Sequence, residues 1–112
     1  MNYFKQLPEF EKELKKLSKK YSSLFEDLEK FEKILLLQPI GIGKNFIVLH
    51  YSEKIKLVKA RLACRSLRDR SMRIIYAYCD DTVTFVYIEI YFKGDKENED
   101  QERINKYLED FK

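Results

Sequence analysis

The sequence predicts an α+β fold: an N-terminal helical hairpin packed on an antiparallel β-sheet of about four strands, with a C-terminal helix. Three observations carry this. Apolar residues recur at steps of three and four as far as Leu37, at steps of two from Phe46 to Phe92, and at steps of three and four again beyond Asp100. The strand-like runs follow one another across short turns, which favours antiparallel pairing over a parallel sheet with crossover helices. The chain has 112 residues, 45% of them hydrophobic, enough for one core, so residues 1–112 are read as a single domain.

Each element has its own signal. Asn2–Lys5 is expected as a short edge strand. Pro8 suits a first helical turn, where its missing N–H costs nothing. Leu7, Phe10, Leu14, Leu17 and Tyr21 then form one stripe against a Glu/Lys outer face. Ser22 or Ser23 can cap a second helix with the stripe Leu24, Leu28, Phe31 and Leu35. Gln38-Pro39 ends it, because the residue before proline avoids the helical region. Gly41–Asn45 is a turn. Strands are expected over Phe46–Tyr51, Ile55–Arg65, Met72–Cys79 and Thr82–Phe92, the last built almost wholly of β-branched and aromatic residues. Ser66–Ser71 is a polar, Arg-rich loop, and Asp80-Asp81 a tight turn. Asn98 or Asp100 caps the final helix, whose stripe is Ile104, Tyr107, Leu108 and Phe111.

Several function classes are excluded. No stretch approaches the roughly 18 consecutive apolar residues of a membrane span. The N-terminus lacks a basic-then-apolar leader, so a cytoplasmic location is expected. Cys64 and Cys79 fall on opposite strand faces, which argues against a bridge. With His50 alone they do not make a four-ligand zinc site, and no metal or cofactor is expected. Asp80-Asp81 is better explained as a turn than as a metal pair. No phosphate-cradling glycine loop and no nucleophile elbow is present.

Charge is distributed unevenly. The net charge is only +3, yet residues 54–73 hold eight cations against Asp69 alone, and five of the eight are Arg. Residues 94–110 hold seven carboxylates against three cations. Guanidinium groups favour bidentate phosphate contacts, so Arg61, Arg65, Arg68, Arg70 and Arg73 suggest a polyanionic partner. The bland alternative is a solvated basic loop balanced by an acidic helix.

Strand alternation assigns faces. Val58, Ala60, Leu62 and Cys64 point to the core, and Lys59, Arg61 and Arg65 point away. Ile74, Tyr76 and Tyr78 share one face of the next strand, and Arg73, Ile75 and Ala77 the other. In Thr82–Phe92, the apolar set Val86, Ile88, Ile90 and Phe92 is expected inside. Phe85, Tyr87, Glu89 and Tyr91 are then outside. The open face would show Lys59, Arg61 and Arg73 beside Tyr87, Glu89 and Tyr91, with cations for phosphate and rings for bases, as single-stranded nucleic acid requires. Plain packing of the rings, with Glu89 neutralising an arginine across the strands, is the competing explanation.

Glu9-Phe-Glu-Lys-Glu-Leu-Lys-Lys-Leu, a second helix, Lys59-Ala-Arg61-Leu, Met72-Arg73-Ile-Ile-Tyr76, Phe85–Phe92, and then Lys93-Gly-Asp-Lys96 before a last helix together resemble the RelE/ParE superfamily of toxins from type II toxin–antitoxin modules. The resemblance covers nearly the whole chain. It implies a small α+β toxin held inactive by a cognate antitoxin. In the RelE branch such a toxin enters the ribosome and cleaves messenger RNA. In the ParE branch it poisons DNA gyrase without cleaving RNA. A degenerate member would only bind its antitoxin or RNA. The RelE pattern places basic residues at positions matched by Lys59, Arg61 and Arg73, with Lys93 or Lys96 near the last. The Arg65–Met72 segment is longer than in compact members, and no Tyr or His matches the one many RelE nucleases carry after the last strand. Attack by the 2′-hydroxyl needs a base and stabilisation of a phosphorane-like transition state. Arg61 and Arg73 are expected to stabilise it. Lys59 is a base only if cation crowding lowers its pKa, and Glu89 is the other candidate.

Overall fold

A computed structural model describes residues 3–68 and 70–111. Among them the order is β1 (Phe4–Gln6), α1 (Pro8–Lys20), α2 (Leu24–Leu37), β2 (Phe46–Tyr51), β3 (Lys56–Ala63), β4 (Ser71–Cys79), β5 (Thr84–Phe92) and α3 (Gln101–Phe111). One turn of 3₁₀ helix, Arg65–Leu67, joins β3 to β4, and another, Asp80–Thr82, joins β4 to β5. The helical hairpin, the α+β class and the closing helix are as the periodicity predicts. Asn2, assigned to the edge strand, lies outside the described residues.

The sheet differs from a purely antiparallel one. Its order is β1-β5-β4-β3-β2, and β1 runs parallel to β5. β1 is too short for its direction to be read from alternation, and α1 and α2 follow it before the antiparallel meander β2–β5 begins. Gly41 shapes the turn into β2 with φ +70°, and a Cβ there would fall 2.1 Å from the Phe46 ring.

Two cores flank the sheet. On one side Phe10 and Leu14 of α1 and Leu24, Leu28, Phe31 and Leu35 of α2 cover Val58, Ala60, Leu62, Ile74 and Tyr76. On the other, Ile104 of α3 packs with Ile55, Leu57, Ile75, Ala77 and Ile88. Cys64 and Cys79 sit on opposite sides as free thiols.

A β-bulge in β5 makes the second core. Ile75 pairs with Glu89 and Tyr76 with Tyr87, so Ile88 has no partner across the ladder. The extra residue reverses the alternation at that point. Phe85 and Tyr87 therefore face the helical hairpin, and Ile88 faces α3. This corrects the expected faces of Phe85, Val86, Tyr87 and Ile88; Ile90 and Phe92, beyond the bulge, lie where expected. The Phe10 and Tyr87 rings stack at 4.9 Å. The Tyr87 hydroxyl donates to Glu32 Oε2 at 3.0 Å, and that of Tyr76 donates to the Pro39 carbonyl at 2.7 Å, so both buried phenols are satisfied.

The Arg-rich connection is tied to α2 by a buried carboxylate. Asp27 Oδ2 accepts the Ser23 hydroxyl at 2.7 Å and the Arg65 backbone N–H at 3.0 Å. Ser23 and Ser66 exchange backbone and side-chain bonds at 2.9–3.0 Å. Burial opposes ionisation of Asp27, but the bonds from Ser23, the Arg65 backbone, Cys64 and the Arg65 guanidinium outweigh it and lower its pKa.

A stability prediction follows with a definite sign. A carboxylate whose folded pKa is depressed contributes stability above the ordinary carboxylate range and loses it as pH falls through the lowered folded value. Urea titrations should therefore show Asp27→Asn destabilised at neutral pH by about 1–3 kcal/mol, with the gap to the native chain closing as pH is taken below about 4. A gap that does not change with pH would mean that Asp27 acts by packing alone.

Candidate nucleic-acid interface

The strand register places Arg61 directly opposite Arg73, and Arg73 opposite Tyr91, in one row across β3, β4 and β5. The next row is Lys59, Ile75 and Glu89. Residues opposed in this way carry Cβ atoms about 5 Å apart, and like charges so placed repel. Arg61 makes no ion pair among the described residues, and its side chain is exposed. Arg73 is half-buried and steadied locally: its Nη1 donates to Ser71 Oγ at 2.8 Å and to the Ser71 carbonyl at 3.3 Å. Burial, and then the Arg61 charge, pull the Arg73 pKa below the usual arginine range. It remains charged at any physiological pH.

Together these residues line a cleft of about 360 Å³ with Arg70, Phe92, Lys93 and Gly94. Among the described residues the lining has four cations and no carboxylate. The Arg70 guanidinium lies over the Phe92 ring, 5.0 Å from its centroid. Lys93 is exposed in the turn that follows β5. Arg68 is exposed on the β3–β4 connection, at φ +61°, a conformation side chains rarely adopt. Ser71 is the contributor the sequence reading missed. The sequence places it in the Arg-rich loop, and only the register brings it beside the arginines.

Six expected site residues are not open to a ligand as expected. Tyr87 is fully buried under α1 and presents no ring to a base. Tyr91 is on the expected face but only 5% exposed, covered by the segment between β5 and α3. Lys59 is not an isolated cation: its Nζ donates to Glu99 Oε1 at 2.8 Å, and that bond is the main reason its pKa is raised. The lowering that a general base needs is absent. Glu89 is completely buried, accepting from Lys96 Nζ and, at 2.8 Å, from the Asp100 backbone N–H. Lys96 is thus committed to Glu89 and lies over the Tyr91 ring. Arg65 turns towards α2, where it pairs with Glu26 and Asp27. For Lys59, Glu89 and Lys96 the common cause is the acidic stretch after β5, whose Glu99 and Asp100 fold back over their row and leave the arginine row open.

No group of three metal-ligating side chains occurs among the described residues. No helix among them is long and apolar enough to cross a membrane. His50 is half-buried on β2 beside Ile55, Leu108 and Phe111, and does not line the arginine cleft.

The fold, a helical hairpin on a five-stranded sheet with a closing helix, has a counterpart among solved structures. A chain of the archaeal RelE–RelB complex from Pyrococcus horikoshii OT3 superposes with a TM-score of 0.63 at 24% identity, over 84% of this chain and 98% of the other. The fold is RelE-like. No family model matches the sequence, and no curated protein matches it significantly.

The cleft geometry makes a binding prediction. Arg61→Ala and Arg73→Ala should each weaken a single-stranded RNA oligonucleotide, read by fluorescence anisotropy, and each reduce the slope of log affinity against log salt by roughly 0.7–1. Arg65→Ala should leave both unchanged, because that guanidinium is spent on α2. Arg61→Ala should also leave the thermal midpoint equal or slightly raised, since it removes a repulsion and no bond. A drop in midpoint equal to that of a core substitution would mean that Arg61 holds the fold.

Proposed function

We propose that the protein is the toxin of a type II toxin–antitoxin pair and that it acts on messenger RNA at the ribosome through the Arg61–Arg73 row. The observation that carries this reading is the row itself: two arginines directly opposed, at the open end of a RelE-like sheet, in a cleft that no carboxylate lines among the described residues. Such a repulsive pair costs stability unless an anion occupies it. Two forked guanidiniums on one phosphate also fit the trigonal-bipyramidal charge that develops during 2′-hydroxyl attack. Lys59, held protonated by Glu99, adds positive charge at the edge of this field. The partner of such a toxin is an antitoxin that silences it, and its site of action is the cytoplasm.

A second reading has an observation in its favour. Lys59 and Glu89, the two candidate bases, are both engaged in ion pairs. A chain that binds without cleaving, whether to gyrase, to RNA or only to its antitoxin, needs no free base. In the first reading, RNA entering the cleft must draw Glu99 off Lys59 or take its base from elsewhere.

Expression in cells separates the two. Arg73→Ala and Arg61→Ala should abolish growth inhibition at equal protein level, an arginine that stabilises developing charge being worth about 3 kcal/mol, roughly a hundredfold in rate. Arg68→Ala should act far more weakly. Arg73→Lys should rescue poorly, since an ammonium lacks the bidentate fork. Cleavage mapping of cellular RNA beside a gyrase supercoiling assay supplies the readout. Toxicity that persists in Arg73→Ala without new RNA ends would overturn the nuclease reading.

A further inference from the structure

The connection from β3 to β4 is flanked by two serines with opposite surroundings. Ser66 lies on the hairpin side: it exchanges bonds with Ser23 at 2.9–3.0 Å, and the Ser23 hydroxyl donates to the Asp27 carboxylate. Ser71 opens β4 and lines the arginine cleft. Alternation puts it on the face of Arg73, two residues on, and puts its ladder partner Ala63 on the face of Arg61. Its Oγ accepts from Arg73 Nη1 at 2.8 Å.

A hydroxyl is an acceptor in phosphoryl transfer, and this one stands where a phosphate finds its counter-charges. Among the described residues the cleft offers Arg61, Arg70, Arg73 and Lys93, no carboxylate, and a volume of about 360 Å³. A phosphoserine carries about −1.5 to −2 charges at neutral pH and three strong acceptor oxygens. That is close to the charge of the Arg61–Arg73 pair. The phosphate would remove the repulsion across the ladder and hold the guanidiniums in charge-assisted bonds. The same group on Ser66 would stand beside the Asp27 carboxylate and be repelled.

Two features admit an enzyme to Ser71. It is half-buried in the last rung of the β3–β4 ladder, opposite Ala63, and β5 pairs with β4 only from Met72 onward. Freeing it opens one rung at a sheet end, where local opening costs least. The residues leading to it read Arg68-Asp69-Arg70-Ser71, and Arg68 and Arg70 are exposed. Cations one and three positions before a serine are a charge pattern that a kinase with an acidic substrate groove can read.

We infer that Ser71 is a phosphorylation site, and that its phosphate occupies the arginine cleft from within the chain and shuts it to other polyanions. In the step, Ser71 Oγ attacks the γ-phosphorus of a nucleoside triphosphate held by an arginine-directed serine kinase. The Oγ–P bond forms as the bond to the leaving diphosphate breaks. The kinase's base takes the hydroxyl proton, and the nucleoside diphosphate departs. Exclusion of RNA rests on the proposed function; the phosphate's place in the cleft does not.

The test uses the full chain in two forms, one with genetically encoded phosphoserine at position 71, the other treated with ATP and an arginine-directed serine kinase. Mass spectrometry of the treated chain should find phosphate on Ser71, and Arg68→Ala should reduce it. By phosphorus NMR the second ionisation of the encoded phosphoserine should fall clearly below its ordinary value of about 6, and Arg73→Gln should restore it. The thermal midpoint should rise, whereas phosphoserine encoded at position 66 should lower it. A single-stranded RNA oligonucleotide should bind the chain phosphorylated at position 71 about tenfold or more weakly than the native chain. An ordinary ionisation insensitive to Arg73→Gln, or a midpoint lowered as at position 66, would overturn the phosphate's place in the cleft. Phosphate on Ser18, which follows Lys15 and Lys16, with none on Ser71 would overturn the kinase site. Undiminished oligonucleotide binding by the modified chain would overturn the exclusion. If the native chain binds no oligonucleotide while the ionisation and midpoint still shift, the RNA reading falls and the site stands.

Discussion

The central strands β3, β4 and β5 are apolar on both faces over much of their length, and a sheet of that kind must be covered twice. The bulge at Ile88 sharpens the requirement. By placing Phe85 and Tyr87 on the hairpin side and Ile88 on the other, it divides the aromatic strand between two cores. Without α3 the face carrying Ile75, Ala77 and Ile88 would stand in water. The C-terminal helix is thus the second wall of the core. Arg103 ties that wall to the first, donating to Glu13 of α1 at 2.9 Å and to the Ile88 carbonyl at 3.0 Å. Glu13 in turn accepts the Ile90 backbone N–H at 3.3 Å, so one ion-pair network links α1, the bulged strand and α3.

Double coverage also decides where the sheet is left open. The segment joining β5 to α3 must cross the outer face to reach its docking place, and it is rich in carboxylates. Crossing the lysine row, it meets cations it can neutralise: Glu99 takes Lys59, and Asp100 anchors to Glu89 while Lys96 closes the remaining charge. The row beyond, Arg61 and Arg73, is left with Ser71 as the one side chain bonded to it among the described residues. The two charged rows lie one pleat apart, yet one is internal structure and the other is an available anion site. Alternation alone cannot separate Lys59 from Arg61, because both are cations at alternate positions of the same strand.

That contrast shows how far the sequence could be read. Period-two alternation and short turns were enough to place Arg61 and Arg73 on one face of adjacent antiparallel strands, since neither β3 nor their part of β4 is irregular. The same rule failed in β5. A bulge inserts one residue without altering composition, so Tyr87 reads as exposed when it is fully buried. It failed again for Lys59 and Glu89, whose partners come from 40 and 11 residues further along the chain. The helices were legible because each needs only a local stripe and a local stop. The parallel direction of β1 was not, because three residues carry no directional pattern.

The unmatched repulsion between Arg61 and Arg73 is then informative about function. A sheet face that needed only to be soluble could alternate signs, as the rest of this molecule does at Lys56–Asp80, Lys59–Glu99 and Lys96–Glu89. The chain has the carboxylates to do so, with seven of them in residues 94–110 alone. Among the described residues no carboxylate lines the arginine cleft. Like charges in direct opposition lower stability, and the half-burial of Arg73 adds a desolvation penalty. These costs recur where a protein holds a site ready for a ligand of opposite charge, because the ligand removes both at once. Arg61 carries more of the consequence than Arg73. It stands exposed on the cleft with no side-chain bond or ion pair among the described residues, whereas Ser71 holds Arg73 in place. The arginine with no partner among the described residues is therefore the one whose charge is left for a ligand to neutralise.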